Sequence, residues 1–233
     1  MVLVFTCLAA ISFEVASVKR SSEQKGLDGR GQLVVSIDRL SARNVTLRAL
    51  IAAAYHVQQA QVSGRLKWLD SEEFDIDART QSPATPGQMG AMLQSLLAER
   101  FHLTLDREAR ELAVLALVIA KGGPRLQGAK GSRHFHGDMR QLADLLSVQA
   151  TIPASADPSR PSLASSSPVM VVDKTGLEGV HDFDFEINPD GTTDQLTQWR
   201  RLLKEQLGLD LHGQRLKVQI LLVAAAERVP VSN

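Results

Sequence analysis

The densest set of potential metal ligands in the chain is Arg133-His134-Phe135-His136-Gly137-Asp138. On a strand, His134 and His136 would share one face. The flanking Gly, Lys and Ser residues favour a loop instead. Spacing sets no third ligand, so no metal site is assigned. Asp173-Lys174-Thr175-Gly176 has the composition of a phosphate loop. It lacks the leading glycines and does not open a helix, so the backbone cradle for a phosphate is missing. It reads as a tight turn in which Gly176 or Gly179 supplies a positive φ. Paired acids on two stretches, Asp75 with Asp77 and Asp182 with Asp184 and Glu186, have the residue types for general acid–base hydrolysis of a glycosidic bond. The plainer reading places them on the wet face of strands covered by helices on the other side. No G-x-S-x-G elbow carries a serine nucleophile.

Composition narrows the field further. Lys plus Arg equals Asp plus Glu at 26 each, and basic residues are scattered among acids, which argues against a nucleic-acid partner. Only 4% of residues are aromatic, so the core must come from Leu, Val, Ile and Ala. Cys7 is the single cysteine, which excludes a disulfide within the chain and a cysteine-rich metal site. No cofactor fingerprint is present.

Residues 1–12, MVLVFTCLAAIS, form an apolar run ending in small residues. This is the pattern of the hydrophobic and cleavage regions of a secretory signal without its basic start, and it is too short for a membrane span. It predicts a truncated signal peptide and an exported, periplasmic or extracellular protein. The competing reading is a buried first strand.

The elements that would position the candidate residues follow from periodicity. Alternation predicts strands at Phe13–Lys19, Leu33–Ile37, Phe74–Ala78 and Phe183–Ile187. Thr46 caps a helix carrying Leu47, Leu50, Ile51 and Ala54 and ending near His56. Thr85-Pro86-Gly87-Gln88 combines an N-cap, a first-turn proline and a capping-box glutamine ahead of an apolar stripe from Met89 to Phe101. Strands are predicted at Leu103–Leu105 and Leu112–Ala120, separated by a charged turn at Arg107–Glu111. Asp138 caps a third helix. Residues 151–167, rich in Ser, Pro and Ala, read as a flexible insertion. A strand follows at Val169–Val172. A helix from about Asp194 carries Leu196, Trp199, Leu203 and Leu207, with Gly208 as its left-handed end. Strands at Leu209–Leu211 and Val218–Ala224 close the chain.

The two halves repeat one order of elements, and AMLQSLLAERFHLTL echoes QWRRLLKEQLGLDLH. This predicts an internal duplication. The resulting division is 13–126 for a first α/β unit and 127–233 for a second.

Six stretches in order carry a resemblance: FEVASVK at Phe13, NVTLRALIAAAY at Asn44, WLDSEEFDIDA at Trp68, REARELAVLALVIAKGGPRL at Arg107, VVDKTGLEGVHDFDFE at Val171 and EQLGLDL at Glu205. Together they resemble a family of exported proteins expanded in soil Acidobacteria. Arg20, His181 and the ending Ala226–Pro230 depart from its pattern. The resemblance implies tandem copies of the small secretin and TonB N-terminal fold, with no assigned activity. In some relatives a similar module is attached to a BlaR1-like membrane metallopeptidase, whose His-Glu-x-x-His zinc helix is missing here. The block at Val171 is the most specific of the six. Asp173, Lys174, Thr175, Gly176 and Gly179 are therefore the candidate recognition surface.

The expected architecture is α+β: two tandem units, each with two helices on one face of a small mixed sheet. The expected function is a non-catalytic interaction or sensing module with an envelope protein as partner, working through sheet edges or a helix–sheet groove. An extracellular hydrolase using the strand carboxylates and a small-ligand sensor are the alternatives.

Overall fold

The computed structural model describes residues 12–22, 31–126, 131–151, 169–187 and 195–230. Nearly all of the apolar run 1–12, with Cys7, and of the insertion 151–167 lies outside them. The chain is α+β, and the described residues form four α-helices and several small sheets. It divides into two compact units, Met1–Glu108 with Gln219–Asn233, and Ala109–Val218. The change of unit falls at 108/109, and the last residues belong to the first unit.

In the first unit, β1 (Val15–Arg20), β2 (Gln32–Val35), β3 (Arg39–Thr46) and β5 (Glu73–Arg79) form one antiparallel sheet in the order β1-β5-β3-β2. Its inner rows are apolar. Val18, Ile76, Ala42 and Leu33 lie side by side, as do Ala16, Ala78, Leu40 and Val35. Against that face pack α1 (Leu47–Tyr55) and α2 (Pro86–Phe101). Helix α1 starts where the sequence places it, with the Thr46 hydroxyl accepting from the Ala49 N–H at 3.3 Å. The α2 capping box closes both ways. Thr85 N–H donates to Gln88 Oε1 at 2.8 Å, and Gln88 N–H donates to Thr85 Oγ1 at 3.3 Å. Phe74 and Phe101, both fully buried, meet edge to face at the centre of this core.

Strand β3 has no counterpart in the sequence reading. Its alternation breaks at a bulge between Ala42 and Val45, where Asn44 takes a left-handed φ of 52°. The extra residue puts Val45 out of phase with Ala42, which hides the period of two. Strand β4 (Val62–Gly64) pairs in parallel with Leu221–Val223. Leu221 and Val223 belong to the first unit's core for that reason.

The second unit is built on β7 (Arg133–Gly137) and β9 (His181–Phe185), an antiparallel pair with Phe135, Phe183 and Phe185 turned inward. Helix α3 (Met139–Thr151) is capped by Asp138, whose carboxylate accepts from Gln141 N–H at 2.7 Å. Helix α4 (Gln195–Leu202) supplies Trp199 and Leu202 to the core. It widens into a π-helical turn at Leu203–Leu207 and stops at Gly208, φ 66°. Strand β8 (Val171–Asp173) runs parallel to Leu115–Leu117 of β6 (Thr104–Ile119).

Two expectations are corrected. Residues Thr104–Ile119 form one continuous strand, β6, without a turn at Arg107–Glu111. Residues Leu209–Ala225 likewise form one strand, β10. Polar residues dominate the middle of each because that stretch is exposed, and exposure does not interrupt a strand. The element order β3-α1-β4-β5-α2 in the first unit recurs as β7-α3-β8-β9-α4 in the second, with an antiparallel first pair in both.

Candidate functional site

The turn after β8 holds the sequence-derived recognition residues. Asp173 Oδ1 accepts from Thr175 N–H at 2.9 Å and from the Thr175 hydroxyl at 2.7 Å. The same hydroxyl oxygen accepts from Leu177 N–H at 3.1 Å. Lys174 N–H donates to Leu117 O at 2.9 Å, tying the turn to β6. Gly176 and Gly179 take φ of 68° and 86°, the left-handed values a tight turn requires. Asp173 Oδ1 and the Thr175 hydroxyl are thus committed to shaping the turn. The side chain of Lys174 and both glycines are exposed.

Arg133–Gly137, expected as a loop, is strand β7. The pairing of β7 with β9 sets His134 opposite Asp184 and His136 opposite Asp182, all on the outer face. His134 Nδ1 lies 2.8 Å from Asp184 Oδ1, and its Nε2 lies 3.5 Å from Asp182 Oδ1. His136 Nδ1 lies 3.2 Å from Asp182 Oδ2. The hydrogen bond to Asp184, reinforced by the charge of Asp182, raises the His134 pKa above its ordinary value. Among the described residues no group of three or more His, Cys, Asp or Glu is arranged to hold a metal ion. The raised His134 pKa favours proton uptake at this ladder. Folding raises the His134 pKa, so its contribution to stability is complete below the ordinary histidine range. It is lost as pH climbs through the raised value. An NMR titration is expected to place His134 above a free histidine. Protection of the β7 amides, relative to their intrinsic exchange, should fall across the same pH interval, and His134→Gln should remove that fall.

The other carboxylates are each engaged separately. Asp75, 5% exposed, accepts from Asn44 N–H at 3.0 Å and holds the bulge of β3, with Lys19 Nζ 3.9 Å away. Asp77 receives Arg39 Nε at 3.1 Å and lies 3.7 Å from Arg43. The hydrogen bond from Arg39 is the main cause of a lowered Asp77 pKa, which keeps it ionised and unsuited to donate a proton. Glu186 accepts from Ser132 N–H at 2.7 Å. Glu72, outside the sequence-derived set, bridges Arg20 of β1 and Arg228, and the bond from Arg228 is the largest cause of its lowered pKa. An apolar hollow in the second unit is lined by Val114, Leu115, Val169, Gly213 and Arg215 among others, and none of the five strand carboxylates lines it. Replacing Asp75 with alanine should strand the Asn44 amide and lower the first unit's stability by about 1–3 kcal/mol. Urea unfolding followed through Trp68, which packs 6.3 Å from Phe74, reads that loss.

The remaining feature is the outer edge of β2, which no described strand covers. Val34 and Val35 are each 49% exposed and Ile37 is 65% exposed. Residues 32–37 (QLVVSI) carry no charge. Sequence reasoning found the strand but not its place at the sheet edge, because edge position depends on the pairing order of distant strands. The missing charges were the one visible signal.

A family model described as Protein of unknown function (DUF3738) matches residues 48–226. Comparison with curated proteins and with solved structures gives no match.

Proposed function

We propose that this chain, which belongs to the DUF3738 family of proteins of unknown function, is a non-catalytic recognition module that binds a protein partner by strand addition. The observation that carries this reading is that its strand carboxylates are committed to other partners. Hydrolysis by paired acids needs two carboxyl groups facing one bond across a cleft. Here Asp75 supports a bulge, Asp77 is held by Arg39, and Asp182 and Asp184 bind histidines on an exposed ribbon. The edge of β2 offers what strand addition requires: backbone groups that no described strand pairs, beside uncharged side chains.

The apolar run 1–12 supports the export reading, with the partner in the cell envelope. The shared element order of the two units supports a duplicated small fold of the secretin and TonB N-terminal type. Among the described residues no helix is long and apolar enough to cross a membrane. The turn Asp173–Gly179 is a second surface for such a partner, through Lys174.

The test is site-specific photo-crosslinking in the native envelope, with the probe at Val35, at Lys174 or at His134. Strand addition predicts one dominant adduct from position 35 and little from 134. Adducts of equal yield from all three positions, or none from position 35, would sink the reading.

A further inference from the structure

We infer that the occupant of the β2 edge is a second copy of the chain, its β2 paired antiparallel to the first about a two-fold axis through Val34. This rests on the reading of that edge as a pairing surface and names the partner. Ser36 N–H donates to Arg39 O at 2.8 Å, so residues 36 and 39 are a hydrogen-bonded pair in the β2–β3 hairpin. Bonded pairs alternate along an antiparallel ladder. The register of β2 with β3 then turns the backbone groups of Gln32 and Val34 toward β3, and those of Leu33 and Val35 outward. Beyond Val35 the edge is closed, because Ile37 O accepts from Ala84 N–H at 2.6 Å. Within β2, Leu33 and Val35 are thus the residues whose donors and acceptors point outward.

That arrangement has one well-matched self-pairing. Leu33 sits opposite Val35 of the second copy and Val35 opposite its Leu33, each pair exchanging two main-chain hydrogen bonds. Val34 then faces its own equivalent across the axis, at the close spacing of a non-hydrogen-bonded pair. Gln32 meets Ser36, and Gly31 meets Ile37. No charged residue lies between 31 and 37, so no like charges are brought together. The inner rows also continue. Leu33 and Val35 extend the apolar rows through Ala42 and Leu40, and the two-fold axis keeps both apolar faces on one side. The opposite edge of the same sheet is guarded. Strand β1 is flanked by Glu14 and carries Lys19 and Arg20, the kind of charges that discourage edge pairing. A pair of such short strands buries less than the roughly 1,200 Å² of a stable complex, so the association is weak and concentration-dependent.

The experiment is sedimentation velocity on the purified full chain over a dilution series, alone and as variants at Val34. This side chain is on the outer face, half exposed, and not in the core. Wild type and the neutral control Val34→Thr should shift from monomer to dimer as concentration rises. Val34→Lys and Val34→Glu should each stay monomeric, because like charges meet at the axis. An equimolar mixture of the two charged variants should recover the dimer. Unchanged Trp68 and Trp199 fluorescence checks that the variants are folded. A wild type that stays monomeric throughout the series overturns the inference, and so does a dimer that Val34→Lys does not weaken. Either failure in purified protein leaves the envelope crosslink from position 35 standing as a separate result.

Discussion

A chain ending at Val218 should keep its second unit folded and lose its first. The removed segment carries Leu221 and Val223, 5% and 4% exposed, which sit in the core around Phe74 and Leu97. Burying side chains of that kind stabilises a fold by about 1.5–3 kcal/mol each, so the two account for about 3–6 kcal/mol. The truncation also removes the partner strand of Val62–Gly64, the bond from Gln61 Nε2 to Gln219 O at 3.0 Å, and the Arg228–Glu72 ion pair. A small domain has only about 5–15 kcal/mol to lose. The chain has two tryptophans, one in each unit, which makes the outcome easy to read. Trp68 should report an unfolded environment while Trp199, 5% exposed and 5.7 Å from Phe185, keeps its native emission. A division of the chain at 126/127 makes the opposite forecast, with Trp199 disturbed and Trp68 spared.

The second large effect is expected at Gly208. This residue ends the π-helical turn in the left-handed region, where a β-branched side chain is strongly disfavoured. A Cβ here would also collide with the carbonyl oxygen of Gly123. Neither neighbour is free to yield. Gly208 O accepts from Ala120 N–H at 2.9 Å, and Arg125 N–H donates to Leu207 O at 2.8 Å. Gly208→Val should therefore lower the second unit's stability by about 3 kcal/mol through strain and collision together. Trp199 fluorescence in urea should show the shift while the Trp68 transition stays in place. Gly122→Val tests the reasoning from the other side, because nothing lies within 4 Å of a Cβ at that position and the change should be small.

Much of the local structure was legible because local chemistry decides it. The caps at Thr46, Thr85 and Asp138 form the side-chain bonds their types permit. Gly208 takes the positive φ its position after an apolar stripe suggests. What escaped depends on residues far apart in the chain. Strand β3 was hidden by Asn44, whose bulge is stabilised by Asp75, a residue 31 positions away. Asp75 in turn looked like a solvent-facing acid by alternation and is buried, because the bulge turns a backbone N–H toward it. Strand β4 is three residues long and exists only because β10 returns beside it. The candidate sites divide the same way. The tight-turn reading at Asp173–Gly179 follows from residue types within the turn, and the bonds of Asp173 and Thr175 are those of such a turn. The His–Asp ladder required knowing that β7 and β9 are partners in a fixed register, and the open edge of β2 required knowing the order of four strands.

Residue-resolved amide exchange at Leu33 and Val35, in the full chain at low and high protein concentration, tests most directly whether the β2 edge is a pairing surface taken by a second copy. Slow exchange at both amides should appear as concentration rises, while Gln32 and Val34, bonded within the sheet, stay protected throughout. Rapid exchange of Leu33 and Val35 at every concentration, or protection that dilution does not remove, would contradict it.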